Sequence, residues 1–459
     1  MLRSYDHFPM TQPNPVPAFD LTKPHVQRPR LRAVRGFPAQ VNGPDGNPAT
    51  MLGLTDARQV SDKMVFTIPA AQLILPLMDG SRTLDEIVTQ VGRGLALPTL
   101  QQLVAQLDDA GLIEGPVFDA ILAKMRADFD AAPVLPPAST AQFAEALIQR
   151  KPDGSPDEEP PDDATLAKRL GEIFDAWIGE ALKNATDPAL SQLPKAVVVP
   201  HIDYPRGWIN YASAYGRLRV ADRPDRVIIL GTNHFGQSTG VCGCDKGYQT
   251  ILGVCPSDPT LIAAMRRRVG DKLFENRFDH EREHSIELQI PWIQHVFGKD
   301  EKGEFPMVFG ALIHDPALKN GESYDNQGVD LQPFVDALKA TIAELPGRTL
   351  VVSSADLSHV GPAFGDQQPL AGEEEPATAA RNKVFQHDQE MLRLIADNKP
   401  WELVAAMAWQ QNPTRWCSTG NLVATLLTVE PTEVKLLNYS AAMDEAGSTM
   451  VSSTAMIIQ

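Results

Sequence analysis

Two histidines follow two short apolar segments of the chain, in positions typical of ligand-binding loops. Residues 196–199 and 227–230 are β-branched runs too short for a helix, and turn residues close each of them. Such runs predict buried strands of a parallel sheet. His201 and His234 come just past the carboxyl ends of these strands, where open α/β sheets bind their ligands. Two imidazoles at one edge of a sheet indicate a metal site.

Further side chains that could take part in metal chemistry stand at the ends of other predicted elements. His284 and Glu287 are three residues apart in a predicted helix, so both project from one face of its first turn. Asp356 precedes His359 by three residues after a predicted strand, and its carboxylate could orient that imidazole or share its proton. Cys417 stands just before a predicted helix, whose N-terminus favours the metal-binding thiolate.

Each of these residues also has an ordinary structural explanation. An isolated histidine is more often a hydrogen-bonded structural residue than a ligand, and Cys417 alone is more often an inert buried thiol. Cys242 and Cys244 form a CxC pair with Cys255 eleven residues on, but a closed zinc site needs four ligands at tighter spacing, so core cysteines are favoured. The joint placement of the first set at strand ends favours the metal site. The other histidines of this region are interpreted as structural: His280, His295, His314 and His387.

The composition of the 459-residue chain is that of a globular protein, with 43% hydrophobic and 22% charged residues. Its net charge of −17 argues against nucleic-acid binding and against attachment to anionic lipid, because both require a basic surface. No apolar run approaches the roughly 20 residues that span a bilayer, and the first residues lack the apolar core of a signal peptide. We therefore expect a cytoplasmic protein that binds neither nucleic acid nor membrane.

The chain divides into four predicted segments. Residues 1–49 hold nine of the 38 prolines and little apolar periodicity, which predicts an extended arm. Residues 50–135 carry amphipathic helices and short strands, which predict a small α+β domain of winged-helix type. Residues 136–193 combine an acidic, proline-rich linker with an amphipathic helix at 165–183. Residues 194–459 alternate strands and helices, which predicts an α/β domain whose mostly parallel sheet is covered by helices on both faces.

The sequence of the last segment contains six blocks that occur together, in this order, in one family. The blocks are PHIDY (200–204), LGTNH (230–234), EREHSIELQIPW (281–292), VVSSADLSH (351–359), WCSTGN (416–421) and LNYS (437–440). From Lys195 to Gln459 the chain resembles the Memo family, the protein B component of the AmmeMemoRadiSam system. The resemblance implies an α/β sheet covered on both faces, distantly similar to that of class III extradiol dioxygenases.

The resemblance also implies roles for individual residues. The metal ligands of the family fall on His201, His234 and Cys417. Its second pair near the metal matches Asp356 and His359, and its helix histidine matches His284; these three are the predicted catalytic residues.

Two positions of the chain depart from the family pattern. The usual PHAGY is PHIDY here, which adds Asp203 beside the first ligand as a further ligand or proton acceptor. The second histidine that often follows the LGxxH ligand is Phe235. Asp203 and Glu287 are the predicted substrate-binding residues.

The small domain has a resemblance of its own. The sequence PLMDGSRTLDEIVTQV and the later LVAQLDDAGLI resemble PqqD-type winged-helix modules, which present peptides to modifying enzymes. A helical oligomerisation or docking domain fits the same pattern. DNA binding is disfavoured because the candidate recognition helix, residues 97–110, is acidic.

Two imidazoles and a thiolate leave open positions on a metal, as a reactive centre needs. Iron(II) is the first expectation, by resemblance to non-haem oxygenases, followed by copper and then zinc. The predicted function is an iron-dependent, dioxygenase-like oxidoreductase acting on a small aromatic or peptide-derived substrate. The alternative is a non-catalytic metal-binding scaffold that binds a peptide and recruits a partner, such as a radical enzyme. Metal-dependent hydrolysis is weaker, because a thiolate ligand is present and HExxH is absent.

Overall fold

The structure is a computed structural model. It describes residues 17–42, 48–137, 141–149, 155, 157, 159–368 and 370–459. The chain forms two compact units, Met1–Ala131 and Ala132–Gln459. None of the helices in the described ranges is both long and apolar enough to cross a membrane.

The first unit joins a three-stranded antiparallel sheet, in the order β1-β2-β3, to helices that follow it in the chain. Helix α2 begins with a capping box, in which Thr83 and Glu86 each accept a backbone hydrogen bond from the other. The core buries Ile87, Leu100 and Leu107 completely. The elements are α1 (Pro24–Gln27), β1 (Val34–Asn42), β2 (Pro48–Asp56), β3 (Val65–Thr67), α2 (Leu84–Val91), α3 (Leu97–Asp109) and α4 (Pro116–Ala131).

Strand β1 lies within the segment that was expected to be an extended arm. It pairs with β2 from Val34 opposite Asp56 to Asn42 opposite Pro48, so the small unit includes residues upstream of 50. Proline content misled the prediction: Pro38 lies in β1, an edge strand, where proline is tolerated. Residues 1–16 and 43–47 of that arm lie outside the described residues. The winged-helix resemblance of this unit stays a prediction.

The second unit contains the larger sheet and all the predicted site residues. Its helices are α5 (Ala141–Ile148), α6 (Asp163–Leu182), α7 (Tyr204–Tyr215), α8 (Pro259–Val269), α9 (His284–Glu287), α10 (Ile290–Phe297), α11 (Leu331–Glu344), α12 (Glu375–Ala396), α13 (Pro400–Gln410) and α14 (Thr419–Val429). Its strands are β4 (Ala196–Val199), β5 (Arg226–Thr232), β6 (Cys242–Gly243), β7 (Tyr248–Thr250), β8 (Gly253–Cys255), β9 (Met307–Ile313), β10 (Thr349–Ser354), β11 (Asp356–Val360), β12 (Val434–Met443) and β13 (Met450–Ile458).

The sheet is mixed rather than mostly parallel. Its order is β11-β13-β4-β10-β5-β9-β6, with β12 paired to the other side of β13. Strands β4, β10, β5 and β9 are parallel to one another, whereas β6, β11, β12 and β13 join antiparallel. The prediction of a mostly parallel sheet did not take into account the short turn at 444–449, which joins β12 to β13. So short a connection allows only antiparallel pairing of these two strands.

Helices cover both faces of this sheet. Every residue of β4 and β5 is buried, as expected of strands covered on both sides. Alternate residues such as Val198 and Leu230 belong to one core with residues of α8, α11, α13 and α14. Helix α7 packs on β4, β12 and β13. The α/β class is therefore confirmed, and the carboxyl ends of β4, β10 and β5 meet at one edge.

Candidate metal centre

Two strands of the parallel core bring the first two predicted ligands together. His201 follows β4 after Pro200, and His234 follows β5 after Asn233. Only β10 separates these strands, and all three end at the same edge. The two imidazole rings are consequently 5.1 Å apart between centroids.

Cys417 completes the cluster from the loop before α14. Its Sγ lies 3.3 Å from Nε2 of His201, and the ligand atoms of His201, His234 and Cys417 all lie within 4.8 Å of one another. Thr232 at the end of β5 donates to the carbonyl oxygen of Cys417 at 3.1 Å, and Asn421 donates to Ser354 at 2.7 Å. These hydrogen bonds fix the start of α14 against the ends of β5 and β10.

The hydrogen bonds of the two imidazoles leave the same nitrogen available on each. Nδ1 of His201 lies 3.0 Å from the carbonyl oxygen of Ser354, which can only accept. Nδ1 of His234 lies 3.0 Å from the carboxylate of Glu283. We therefore assign the proton to Nδ1 in both rings, which leaves the Nε2 lone pairs for a metal. A carboxylate or carbonyl behind a histidine is the usual support of a metal ligand, so this donor set fits a transition metal.

The charges of the cluster favour the thiolate. Burial alone would raise the pKa of the Cys417 thiol, but His201, His359 and a hydrogen bond from His234 hold that pKa well below its usual range. Burial opposes the charging of His234 as well, yet Glu283 raises the pKa of this imidazole well above its usual value. A cation placed between these groups would displace the protons of the imidazoles and keep the thiolate.

Glu283 is a member of the site that the sequence-based reasoning did not single out. Its side chain is almost completely buried, and its carboxylate accepts the backbone N–H groups of His234, at 2.8 Å, and Ser285, at 2.9 Å. Nδ1 of His284 lies 3.2 Å from it. Burial would raise the pKa of Glu283, but His234 keeps it well below its ordinary value. The only sequence signal was its position directly before His284.

His284 lies beside His201 and His234, the two predicted histidine ligands. Its ring centroid is 4.7 Å from that of His234 and 5.4 Å from that of His201. Burial lowers the pKa of His284, so a neutral imidazole is favoured near pH 7. His284 therefore presents a third imidazole at the edge of the cluster.

Asp356 and His359 are both in this region but do not pair with each other. Asp356 accepts the backbone N–H groups of His201, at 2.9 Å, and Ile202, at 3.1 Å. Nδ1 of His359 lies instead 3.0 Å from the carbonyl oxygen of Leu357. The predicted orientation of His359 by Asp356 is wrong, because the carboxylate of Asp356 holds the backbone of His201 and Ile202 instead. The pairing of β11 with β13 also shifts register between Asp356 and His359.

The two predicted substrate-binding residues are placed differently from the expectation. Asp203 is the N-cap of α7. One oxygen of its carboxylate accepts from the backbone N–H of Arg206 at 3.2 Å, and the other accepts from the Nε of the Arg206 side chain at 2.6 Å. Glu287 lines a separate cleft of about 420 Å³ together with Tyr204 and Thr250, and His201, His234 and Cys417 are not among the residues that line it. Neither carboxylate reaches the cluster.

Comparison with known proteins identifies the family. A sequence model of the Memo-like protein family matches residues 170–457, which include every residue of the cluster. The chain belongs to the Memo family. It is 27% identical over 294 residues to a MEMO1 family protein of Methanopyrus kandleri, which covers 63% of this chain and 90% of that protein.

Two further relatives have the same family name. A MEMO1 family protein of Thermus thermophilus is 25% identical over 344 residues, covering 74% of this chain and 87% of the relative. One of Thermotoga maritima is 27% identical over 264 residues, covering 56% and 80%. The resemblance to the Memo family is thus confirmed, whereas the distant similarity to extradiol dioxygenases stays a prediction.

Proposed function

We propose that this Memo-family protein binds one transition-metal ion between His201, His234 and Cys417. The observation that carries the proposal is the convergence of these three ligand atoms within 4.8 Å, with Nδ1 of each imidazole already hydrogen-bonded. Two imidazoles and one thiolate suit iron, copper and zinc. Iron(II) is our first choice, by the predicted resemblance to non-haem oxygenases; copper is second and zinc is third.

We propose that the site is that of an oxidoreductase. When bound, a redox-active metal would supply electron transfer and open coordination positions. His284 stands beside the ligands with Nδ1 directed at Glu283, so its Nε2 can hold or accept a proton of the substrate. His359, whose charge lowers the pKa of Cys417, is the second candidate for that role. The substrate class that we propose is a small aromatic or peptide-derived molecule.

The test is anaerobic reconstitution with iron(II), followed by oxygen-uptake measurements with catechols and phenolic peptides. We expect one iron per chain and uptake that His201→Ala abolishes. His295→Ala is the matched control, because His295 lies in the same unit but contacts Asp175 rather than the cluster. Iron binding without uptake on any of these substrates would contradict the oxidoreductase.

A scaffold role is the second candidate. It is favoured by the first unit, which has its own hydrophobic core and contains none of the cluster residues. In that role the metal site binds a peptide without turnover, and the first unit recruits a peptide-modifying partner such as a radical enzyme. Tight metal binding, no oxygen uptake and saturable binding of a peptide would support this role.

A further inference from the structure

A buried carboxylate on α12 collects four hydrogen bonds from four different parts of the second unit. Asp388 has no exposed surface. One of its oxygens accepts from Ser358 Oγ at 2.5 Å and from Trp416 Nε1 at 2.7 Å, and the other accepts from Tyr439 OH at 2.6 Å and from Ser452 Oγ at 2.5 Å. Neutral donors on β11, β12, β13 and the loop before α14 thus converge on one side chain.

Two of these donors belong to the segments that form the candidate metal centre. Trp416 directly precedes Cys417, and its indole N–H can only donate. Ser358 lies in β11 between Asp356 and His359. The backbone N–H of Ser358 also donates to Ser452 Oγ at 3.0 Å, which ties β11 to β13 at the same point.

The loop that carries Cys417 needs such support because its backbone is strained. Gln411, Asn412 and Arg415 have φ angles of 57°, 45° and 59°, in the left-handed region that non-glycine residues rarely adopt. For Gln411 and Arg415 this costs on the order of 1 kcal/mol or more each, whereas asparagine adopts the region more readily. Asn412 accepts from the backbone N–H of Trp416 at 2.7 Å and donates to its carbonyl oxygen at 2.8 Å. Asp388 holds the side chain of the same tryptophan.

We propose that Asp388 is a positioning residue for the metal centre, which holds Cys417 and β11 in the geometry that binds the ion. This inference rests on the metal site proposed above. Burying a carboxylate is costly, and no lysine or arginine of the described ranges forms an ion pair with Asp388. A packing role alone would be filled by an apolar side chain of similar volume, without that cost. The four donors explain why a carboxylate is placed here.

The test uses Co²⁺ as a spectroscopic probe on the full chain. Asp388→Ala removes all four hydrogen bonds, whereas Asp388→Asn keeps the size and can accept from Trp416 while its NH₂ group donates to hydroxyl oxygens. Glu390→Ala is the matched control, because Glu390 is an exposed carboxylate on the same helix. The readouts are the Co²⁺ dissociation constant and the thiolate-to-cobalt charge-transfer band, with circular dichroism to check folding.

We expect Asp388→Ala to weaken Co²⁺ binding by roughly 10–100-fold and to shift the charge-transfer band, as for other residues that support metal ligands. Asp388→Asn should stay within about threefold of the wild type on the same scale, and Glu390→Ala should not differ. A folded Asp388→Ala protein with unchanged affinity and band would overturn the proposal. An Asp388→Asn protein that binds Co²⁺ as weakly as Asp388→Ala would also overturn the proposal, because the negative charge of Asp388 and not its positioning role would then account for the loss.

A second variant covers failure of Asp388→Ala to fold. Ser358→Ala removes the hydrogen bond that β11 donates to Asp388 and the one that Trp416 Nε1 donates to Ser358 Oγ at 3.1 Å, while the other three hydrogen bonds of Asp388 remain. We expect it to weaken Co²⁺ binding several-fold; no change would contradict the positioning role. Wild-type protein that gives no charge-transfer band sensitive to Cys417→Ser would contradict the metal site itself, and the role of Asp388 with it. The two failures are thereby distinguishable.

Discussion

The second unit contains two clusters of cysteine and histidine, and their chemistry differs sharply. The first is the candidate metal centre at the carboxyl ends of β4 and β5. The second lies beside β6 and β9, where Tyr248 OH is 2.9 Å from Nδ1 of His280 and Nε2 of His280 is 3.0 Å from the carbonyl oxygen of Cys242. We call the second one the β6 cluster: Cys242, Cys244, Tyr248 and His280.

The difference lies in what surrounds each imidazole and thiol. In the β6 cluster both nitrogens of His280 are hydrogen-bonded, and burial lowers its pKa to about 4. Burial also raises the pKa of the Cys242 thiol well above its usual value and that of Cys244 to about 12. At the metal centre, Glu283 and the neighbouring imidazoles oppose the effect of burial. The same residue types therefore serve packing in one place and, in our proposal, metal binding in the other.

The largest predicted effect is the loss of metal binding. Cys417→Ser or His201→Ala should lower iron(II) affinity by at least about 100-fold, because each removes one of three ligands. Cys242→Ser should leave the affinity unchanged, since its thiol is buried in the β6 cluster. Equilibrium titration of the metal-free protein measures both affinities, and equal losses in Cys242→Ser and Cys417→Ser would show that the two clusters do not differ in metal binding.

Thiol reactivity should separate the clusters next. In metal-free protein at pH 7, Cys417 should react with iodoacetamide roughly 100-fold faster than Cys242, Cys244 or Cys255, since it is partly exposed and only the thiolate is nucleophilic. Peptide mapping of the labelled protein over time gives the four rates. Saturation with the metal should protect Cys417, and comparable labelling of all four cysteines would contradict the assigned thiolate.

A smaller effect is expected from Glu283→Gln, which keeps the size of the side chain but removes its charge. The carboxylate supports both His234 and His284, so metal affinity should fall by roughly 10–100-fold. The control is Glu390→Gln, because Glu390 is an exposed carboxylate. Asp258 would be unsuitable, since it pairs with Arg226. Unchanged affinity in Glu283→Gln would show that His234 needs no anionic support.

The last prediction concerns the β6 cluster, where we expect an effect on stability and none on metal binding. His280 has a lowered pKa in the folded state, so the unfolded chain binds a proton there that the folded chain does not between about pH 6.5 and 4. Above about pH 6.5 neither state binds this proton, and the stability is fully present. As pH falls from about 6.5 to 4 the stability decreases, by up to about 1.4 kcal/mol per pH unit. Denaturant unfolding of wild type and His280→Gln should show a shallower pH slope in the variant, and equal slopes would contradict the buried neutral imidazole.

Much of the α/β unit follows from local sequence. The predicted strands 196–199 and 227–230 lie in β4 and β5, and the predicted helix 165–183 agrees with α6 to within two residues, because each is a continuous apolar or amphipathic run. The predicted helix that carries His284 and Glu287 is the single turn α9, and a second helix, α10, follows it with Pro291 in its first turn. Strand β11 was not predicted, since it is defined only by its antiparallel pairing with β13.

The site was predictable only in part, for a similar reason. His201 and His234 could be predicted as site residues because each follows the end of a strand. Cys417 could be predicted because a helix begins just after it. Glu283 was missed since its role depends on a contact 49 residues away in the chain. Asp203 lies at the N-cap of α7 and not among the clustered ligand atoms, because a residue beside a ligand in the sequence can still point to a helix N-terminus; its substrate-binding role stays a prediction.

The most direct test of the central claim is X-ray absorption spectroscopy of protein purified without added metal, with elemental analysis of the same sample. We predict one metal per chain with a sulfur neighbour at about 2.3 Å, the distance typical of a metal thiolate. That sulfur signal should vanish in Cys417→Ser and persist in Cys242→Ser. A bound metal with no sulfur neighbour in the wild type would contradict the proposed centre.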